Sequence, residues 1–126
     1  MGLKLENSGH TILDFNNLSN NGEGLYLDEG VYPEQSSGNE IYLNSFVNNA
    51  RDVYSFISTN LWSSSGIIQY LYHGRTFKNH LGNYWSTGQK TDANGDGISD
   101  SPQSIGTEVD RYPLMETANR YKILKM

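Results

Sequence analysis

One polar segment occurs twice in the sequence, and this repeat decides the fold. Residues 16–21 read NNLSNN and residues 44–49 read NSFVNN, so the Asn pair at positions 20–21 recurs at positions 48–49. The segments that follow are related at the same spacing, since residues 24–27 read GLYL and residues 52–55 read DVYS. A third related segment, GLKL at residues 2–5, precedes GLYL at a shorter spacing. Self-similarity of this size is typical of a solenoid.

Each copy contains short segments in which apolar residues alternate with polar ones, such as Leu25 and Leu27. This alternation predicts strands with one face turned inward. Short strands separated by Asn-rich corners predict a right-handed parallel β-helix of two to three coils, in which equivalent Asn side chains form a ladder. The difference between the two spacings equals a six-residue insertion, which we place at residues 31–36. An ordinary β-sandwich with Asn-rich turns is the alternative.

The composition excludes several classes of protein. The chain has 126 residues, a net charge of −5, 12% aromatic residues and no Cys. A disordered chain would contain few aromatics, and a nucleic-acid-binding protein would contain clustered Lys and Arg. Neither a membrane span nor a signal peptide is recognisable, and without Cys there is no disulfide framework or thiolate metal site. These features indicate one soluble, all-β unit.

The second half of the chain differs from the repeats. Residues 67–72 and 75–81 alternate on either side of His73-Gly74, which predicts a β-hairpin with a type I′ turn. We also expect a short helical turn within residues 116–121. A solenoid must cover its last coil or leave an open sheet edge. We therefore predict parallel β-helix coils at residues 1–61 and a C-terminal cap, irregular apart from the hairpin, at residues 62–126.

An acidic loop within the predicted cap resembles a calcium-binding loop. Residues 92–100 read DANGDGISD, with oxygen-bearing side chains at loop positions 1, 3, 5 and 9 and Gly at position 6. Calcium prefers six to eight oxygen ligands, and alternate residues of a tight loop can face one ion. Position 12 is Gln103, so a carboxylate from elsewhere must complete the shell; Asp110 is the first candidate and Glu108 the second. The predicted ligands are Asp92, Asn94, Asp96, the backbone carbonyl of Ile98, Asp100 and Asp110.

Aromatic residues of the predicted cap suggest a second kind of site. Sugar rings stack on exposed aromatic faces, and polar side chains beside them bind hydroxyl groups. The candidates for carbohydrate binding are Trp62, Tyr70, Tyr72, Tyr84 and Trp85. The alternative is that these rings cover the open end of the coils. Burial of both Trp side chains would favour the covering role.

Several stretches resemble one family. The segment NEIYLNSFVNN at residues 39–49 is similar to the coil repeat of NosD-like right-handed parallel β-helix proteins. The segments KNHLGNYWS at residues 78–86, residues 91–102, and RYPLM at residues 111–115 resemble the C-terminal module of the same proteins. Such proteins are abundant among surface and secreted proteins of methanogenic archaea. The resemblance therefore implies an extracellular or cell-surface location.

The family name also implies copper handling, but copper sites need converging His, Met or Cys. His10, His73 and His80 are scattered along this sequence, so we do not expect copper. We expect a non-catalytic surface or adhesion module stabilised by calcium, whose partner is a surface polysaccharide or another surface protein. A carbohydrate-binding module is the first alternative. A fragment of a polysaccharide-active enzyme is the second, although no catalytic motif supports it.

Two further features lie at the start of the chain. Asn17-Leu18-Ser19 is an N-glycosylation sequon, for which we favour a role in the Asn ladder over a glycan. The first coil would have an open edge, which suggests a homo-oligomer or an upstream solenoid.

Overall fold

The computed structural model describes residues 2–6, 8–28, 37–55 and 59–126, and these residues form an all-β fold with almost no helix. The first half contains β1 (Leu3–Glu6), β2 (Ile12–Asp14), β3 (Asn17–Ser19), β4 (Glu23–Asp28), β5 (Glu40–Tyr42), β6 (Ser45–Val47) and β7 (Arg51–Ser55). The second half contains β8 (Ile68–Tyr72), β9 (Arg75–Asn79), β10 (Tyr84–Trp85), β11 (Gln103–Ile105), β12 (Glu108–Asp110), a 3-10 helix (Ala118–Arg120) and β13 (Lys122–Lys125).

The repeated segments pair with one another in parallel. Three parallel sheets have the strand orders β1-β4-β7, β3-β6-β10 and β2-β5. The first layer of strands is thus β2, β3 and β4, and the second is β5, β6 and β7. Leu3 pairs with Leu25, and Leu25 pairs in turn with Val53, which are the equivalent positions of the repeated segments. Both spacings of the sequence repeat are confirmed, whereas the predicted insertion at residues 31–36 lies outside the described residues.

Left-handed backbone conformations form the corners of each layer. Phe15 and Asn20 have φ of 54° and 58°, and their counterparts in the next layer, Leu43 and Asn48, have φ of 56° and 54°. Asn adopts this conformation more readily than most residues, as the sequence predicts. At Phe15 and Leu43 an apolar residue occupies the corner instead. The residue after each of these corners is an Asn whose side chain takes part in the bonding between layers, as described below.

The interior of the layers is a continuous apolar core. It consists of Leu13, Leu18, Leu25, Leu27, Ile41, Phe46, Trp62, Trp85 and Ile105. The ring of Trp85 stacks on Phe46 with centroids 4.4 Å apart and planes 4° from parallel. Trp62 and Trp85 belong to the predicted cap, and yet they pack in the same core as the repeats. The two parts of the chain are therefore joined by shared packing.

The predicted hairpin is confirmed. Strands β8 and β9 pair antiparallel around His73 and Gly74, whose φ of 50° and 79° are both positive as a type I′ turn requires. Strand β13 pairs with the other edge of β8. A second core lies between this sheet and the layers; it contains Tyr42, Leu43, Ile68, Tyr70, Tyr72, Leu81, Ile98, Leu114, Ala118 and Tyr121. The short helical turn expected near residues 116–121 is the 3-10 helix.

Candidate functional site

Asn16, Asn44 and Asn83 form a ladder of side-chain amides along the layers. The backbone N–H and the Nδ2 group of Asn16 both donate to Oδ1 of Asn44, each at 3.0 Å. The same two groups of Asn44 donate to Oδ1 of Asn83, at 3.2 and 3.0 Å. The bonds from one Asn to the next run in one direction, because the backbone N–H and Nδ2 of each Asn donate to Oδ1 of the following one. Nδ2 of Asn44 also donates to the carbonyl of Leu13 in the preceding layer, at 2.8 Å. The backbone N–H of the last Asn therefore needs an accepting group beyond the ladder.

Asp110 is that group. Its Oδ2 accepts hydrogen bonds from the backbone N–H of Asn83 at 2.8 Å and from the indole Nε1–H of Trp85 at 2.9 Å. Its Oδ1 accepts the backbone N–H of Tyr112 at 2.9 Å. The residue has 0% of its surface exposed. Desolvation raises its pKa to about 6, and the hydrogen bonds from Trp85 and the backbone limit the rise.

A second ladder ends two residues earlier on the same strand. The N–H of Thr11 donates to Oδ1 of Asn39 at 2.8 Å, and the N–H and Nδ2 of Asn39 donate to Oδ1 of Asn60 at 3.1 and 2.9 Å. The N–H of Asn60 then donates to Oε2 of Glu108 at 2.9 Å. Strand β12 thus supplies the final acceptor of both ladders, Glu108 and Asp110. The sequence identified both acids but assigned them to calcium, and it gave no sign of this role.

The GNYW segment at residues 82–85 is explained by the same carboxylate. A Cβ atom at Gly82 would lie 2.0 Å from Oδ1 of Asp110, so only glycine allows the carboxyl group to approach. Asn83 continues the ladder and Trp85 donates to Asp110. The N–H of Gly82 donates to the carbonyl of Tyr112 at 2.8 Å, which joins this segment to RYPLM. Two of the motifs that carry the family resemblance therefore converge on one buried site.

In the acidic loop, carboxylates accept hydrogen bonds from the loop's own backbone. Oδ1 of Asp92 accepts the N–H of Gly95 at 3.0 Å, and its Oδ2 accepts the N–H of Gly97 at 2.9 Å. Oδ1 of Asp96 accepts the N–H of Ile98 at 2.9 Å. Oδ2 of Asp100 accepts the N–H of Ala93 at 2.9 Å. These hydrogen bonds close the loop on itself and make it compact.

Tyrosine side chains hold this loop against the second core. The hydroxyl of Tyr70 donates to the carbonyl of Asp96 at 2.6 Å, and the hydroxyl of Tyr121 donates to the carbonyl of Gly97. The rings of Tyr72 and Tyr121 stack with centroids 4.7 Å apart. A Cβ atom at Gly97 would lie 2.7 Å from the ring of Tyr121, so glycine is required for this contact as well as for its φ of 84°. The loop is therefore anchored through its backbone.

The predicted calcium ligands are only partly brought together. Asp92, Asn94, Asp96 and Asp100 share the loop and its hydrogen bonds. Asp110, predicted as the sixth ligand, instead has both oxygens bonded to donors of the ladder site. No group of three or more His, Asp or Glu in the described ranges is arranged to hold a metal ion.

Most of the aromatic rings predicted to bind carbohydrate are buried. The exposed fractions are 2% for Trp62, 0% for Tyr70, 5% for Tyr72 and 2% for Trp85. These rings offer no face to a sugar, so the structure does not support a stacking site on them. Tyr84 is half-buried, and the ammonium of Lys90 lies 4.8 Å from its ring centroid. The burial of both Trp side chains favours the covering role.

The Asn of the glycosylation sequon lies outside the ladder. Asn16 has the ladder position, whereas Asn17 is exposed and its Oδ1 accepts a hydrogen bond from the hydroxyl of Ser19. The expectation that Asn17 belongs to the ladder is therefore wrong. Asn16 directly follows the corner at Phe15, where its amide can bond to the next layer, whereas Asn17 begins β3 and its side chain is exposed.

The comparisons with known proteins place the chain in a family. Residues 1–89 match the family model described as "Periplasmic copper-binding protein (NosD)". Because the match covers more than half of the 126 residues, the chain belongs to the NosD family. Neither the search of curated proteins nor that of solved structures finds a match. The described residues contain no helix long and apolar enough to cross a membrane.

The side chains of this protein do not fit the copper site that the family description implies. Nε2 of His73 lies 2.8 Å from a carboxylate oxygen of Glu116, and Nδ1 of His80 lies 2.9 Å from the carbonyl of Ser64. Each of these His residues is thus bonded to a different part of the chain. Cys is absent from the sequence, and the described residues contain no group of three or more His, Asp or Glu that could hold a metal ion.

Proposed function

We propose that this protein is a non-catalytic module of the cell surface or periplasm, and that its body is a short right-handed parallel β-helix closed by residues 62–126. The parallel register that joins β1, β4 and β7 at equivalent positions of the repeat is the observation that supports it most directly. A parallel β-helix stacks its repeated strands in this way, and right-handed crossovers strongly predominate between parallel strands. The family description, which names a periplasmic protein, supports the location.

The closed end supports a role as a stable framework. A solenoid with a bare last coil would expose sheet edges and unpaired ladder groups. In this protein strand β10 covers β6, and Glu108 and Asp110 accept the last donors of the two ladders. A framework whose end is closed in this way should be stable outside the cell. The partner we propose is a surface polysaccharide or another surface protein.

Calcium binding at residues 92–100 is the second part of the proposal. It is supported by the ligand spacing and by the fixed backbone of the loop. The side chains of Asp96 and Asp100 would turn from backbone N–H groups toward the ion, since calcium needs at least six oxygens. Asp110 does not take part in this version of the site. A water molecule or a neighbouring carbonyl would complete the shell in its place.

Thermal unfolding in excess EDTA, in millimolar calcium and in millimolar magnesium tests the calcium part. An ion at about a hundredfold its Kd adds roughly 2.7 kcal/mol to the stability. For a domain of this size that raises the unfolding midpoint by about 10 °C. We expect this shift with calcium alone. The Asp92→Asn variant should lose it, while Asp52→Asn, outside the loop, should keep it. An absent shift contradicts calcium binding, and an equal shift with magnesium contradicts a site that is specific for calcium.

The framework and its location need separate tests. A crystal structure tests the handedness, and a left-handed path between β4 and β5 would refute the β-helix proposed. Labelling of intact cells with an antibody tests the location. A surface or periplasmic role would be refuted if the antibody labels the protein only after the cytoplasmic membrane has been permeabilised.

A further inference from the structure

A surface cleft lies where the layers meet the C-terminal part of the chain. It has a volume of about 360 Å³, and its walls come from the segment 60–65, from His80 just after strand β9, and from Val109, Arg111 and Tyr112. Leu61 contributes an apolar surface that is 45% exposed. This cleft could not be predicted from the sequence, because its walls come from three distant segments. The covering role of Trp62, which is buried beneath it, is unaffected.

Arg111 gives the cleft a positive charge. The side chain is exposed, and no carboxylate in the described ranges forms an ion pair with it. The two nearest acids along the chain already accept hydrogen bonds from other groups. Glu108 accepts from the N–H of Asn60 and from Nε1 of Trp62, and Asp110 ends the other ladder. A free guanidinium at the edge of a cleft is suited to a bidentate contact with a carboxylate.

His80 and Tyr112 supply the aromatic and hydrogen-bonding part of the wall. Their ring centroids are 5.1 Å apart and the planes are tilted by 40°. Because the carbonyl of Ser64 can only accept, Nδ1 of His80 must bear the hydrogen of the bond between them. In the neutral ring Nε2 is then an acceptor, which can receive a hydroxyl proton from a ligand. Both side chains are half-buried, so part of each ring faces the cleft.

We propose that this cleft binds an acidic sugar, namely a uronic acid residue of a polysaccharide. Arg111 pairs with the carboxylate, Nε2 of His80 accepts a hydroxyl, and Tyr112 and Leu61 contact the apolar face of the sugar ring. The negative net charge of the protein provides no general attraction for an anion, so recognition depends on Arg111. This inference goes beyond the framework role, and it requires neither calcium nor a particular handedness.

The test compares two trisaccharides that differ in charge. Trigalacturonate and galactotriose are titrated into the full chain, and binding is followed by calorimetry and by the NMR signals of His80. We expect trigalacturonate to bind and galactotriose to bind at least 10-fold more weakly. The Arg111→Ala variant should weaken trigalacturonate binding at least 10-fold. The Arg120→Ala variant, which changes another exposed arginine, should bind as the unchanged protein does.

The variants also separate this inference from the framework proposal. Arg111 belongs to neither core, so Arg111→Ala should unfold at the same temperature as the unchanged protein. The inference is overturned if trigalacturonate does not bind, or if both trisaccharides bind equally. It is also overturned if the loss of Arg111 has no effect, or if an acidic peptide binds through Arg111 while trigalacturonate does not. None of these results would alter the calcium shift.

Discussion

Asp110 and Asp92 accept backbone hydrogen bonds in the same manner but in opposite surroundings. Asp110 is fully buried, and its pKa is raised to about 6. Asp92 lies in a half-exposed loop, where it accepts hydrogen bonds from Gly95 and Gly97. Lost hydrogen bonds in the loop can be replaced by water, whereas those around Asp110 cannot. We therefore expect the burial of a carboxylate, more than its number of hydrogen bonds, to determine how much it contributes to stability.

The largest loss of stability should come from introducing a second carboxylate beside Asp110. Nδ2 of Asn83 donates to the carbonyls of Ile41 and Trp62 at 2.9 and 3.1 Å. Asn83→Asp would place an acceptor against these acceptors and add a buried charge, so we expect a loss of about 4 kcal/mol or more. Urea unfolding measures it. Asn17→Asp, on the exposed side of β3, is the control and should change stability by less than about 0.5 kcal/mol.

The pH dependence of stability should show the burial of Asp110 directly. Between its ordinary pKa near 4 and its folded pKa of about 6, the folded state binds a proton that the unfolded state has released. The contribution of Asp110 to the free energy of unfolding therefore decreases as the pH rises through this window, by on the order of 3 kcal/mol. Urea unfolding between pH 4 and 7 measures the trend. The difference from Asp110→Asn isolates the group, and a flat difference would refute the raised pKa.

A smaller effect should follow from the loss of one donor to Asp110. Trp85→Phe keeps an aromatic ring against Phe46 but removes the 2.9 Å indole hydrogen bond. We expect a loss of about 2 kcal/mol, since hydrogen bonds to charged groups contribute more than neutral ones. The folded pKa of Asp110 should also rise, because the charged form loses a donor. Trp62→Phe is the matched control, because it removes a longer indole hydrogen bond, 3.3 Å to the half-buried Glu108. We expect a smaller loss there, and equal losses in the two variants would contradict a special contribution from the bond to Asp110.

The smallest effect should appear in the acidic loop without calcium. Asp92→Ala removes the acceptor of three loop N–H groups, but water can reach the loop, so we expect a loss of about 1 kcal/mol in EDTA. In saturating calcium the loss should grow by about the binding contribution of the ion, roughly 2.7 kcal/mol. Chemical unfolding in both buffers measures the two losses. An equal loss in both would argue that the loop is a turn that binds no calcium.

The sequence predicted the layers well because the information for them is local and repeated. The spacing of the repeat and the alternation of Leu25 and Leu27 fix which segments pair and which face is inward. The hairpin around His73 and Gly74 was also predictable, because a two-residue turn imposes its own register. In each case neighbouring residues are sufficient to determine the structure.

The sites were less predictable because they depend on distant residues. In the Asn16-Asn17 pair, the position of the corner decides which amide points toward the next layer, and composition does not reveal it. Asp110 looked like a metal ligand because it is an acid near an acidic loop. Its partners Asn83 and Trp85 are far from it along the chain, so only the folded protein shows its role.

The one-way ladders have a consequence for how such proteins change length. Each Asn receives from one neighbour and gives to the next in the same geometry, so an added copy of the repeat would present the same two faces as its template. Tandem duplication within the gene could therefore lengthen the protein step by step, while the stop formed by Glu108 and Asp110 is left untouched. Selection can then change the length of the protein while the residues that end the two ladders stay the same.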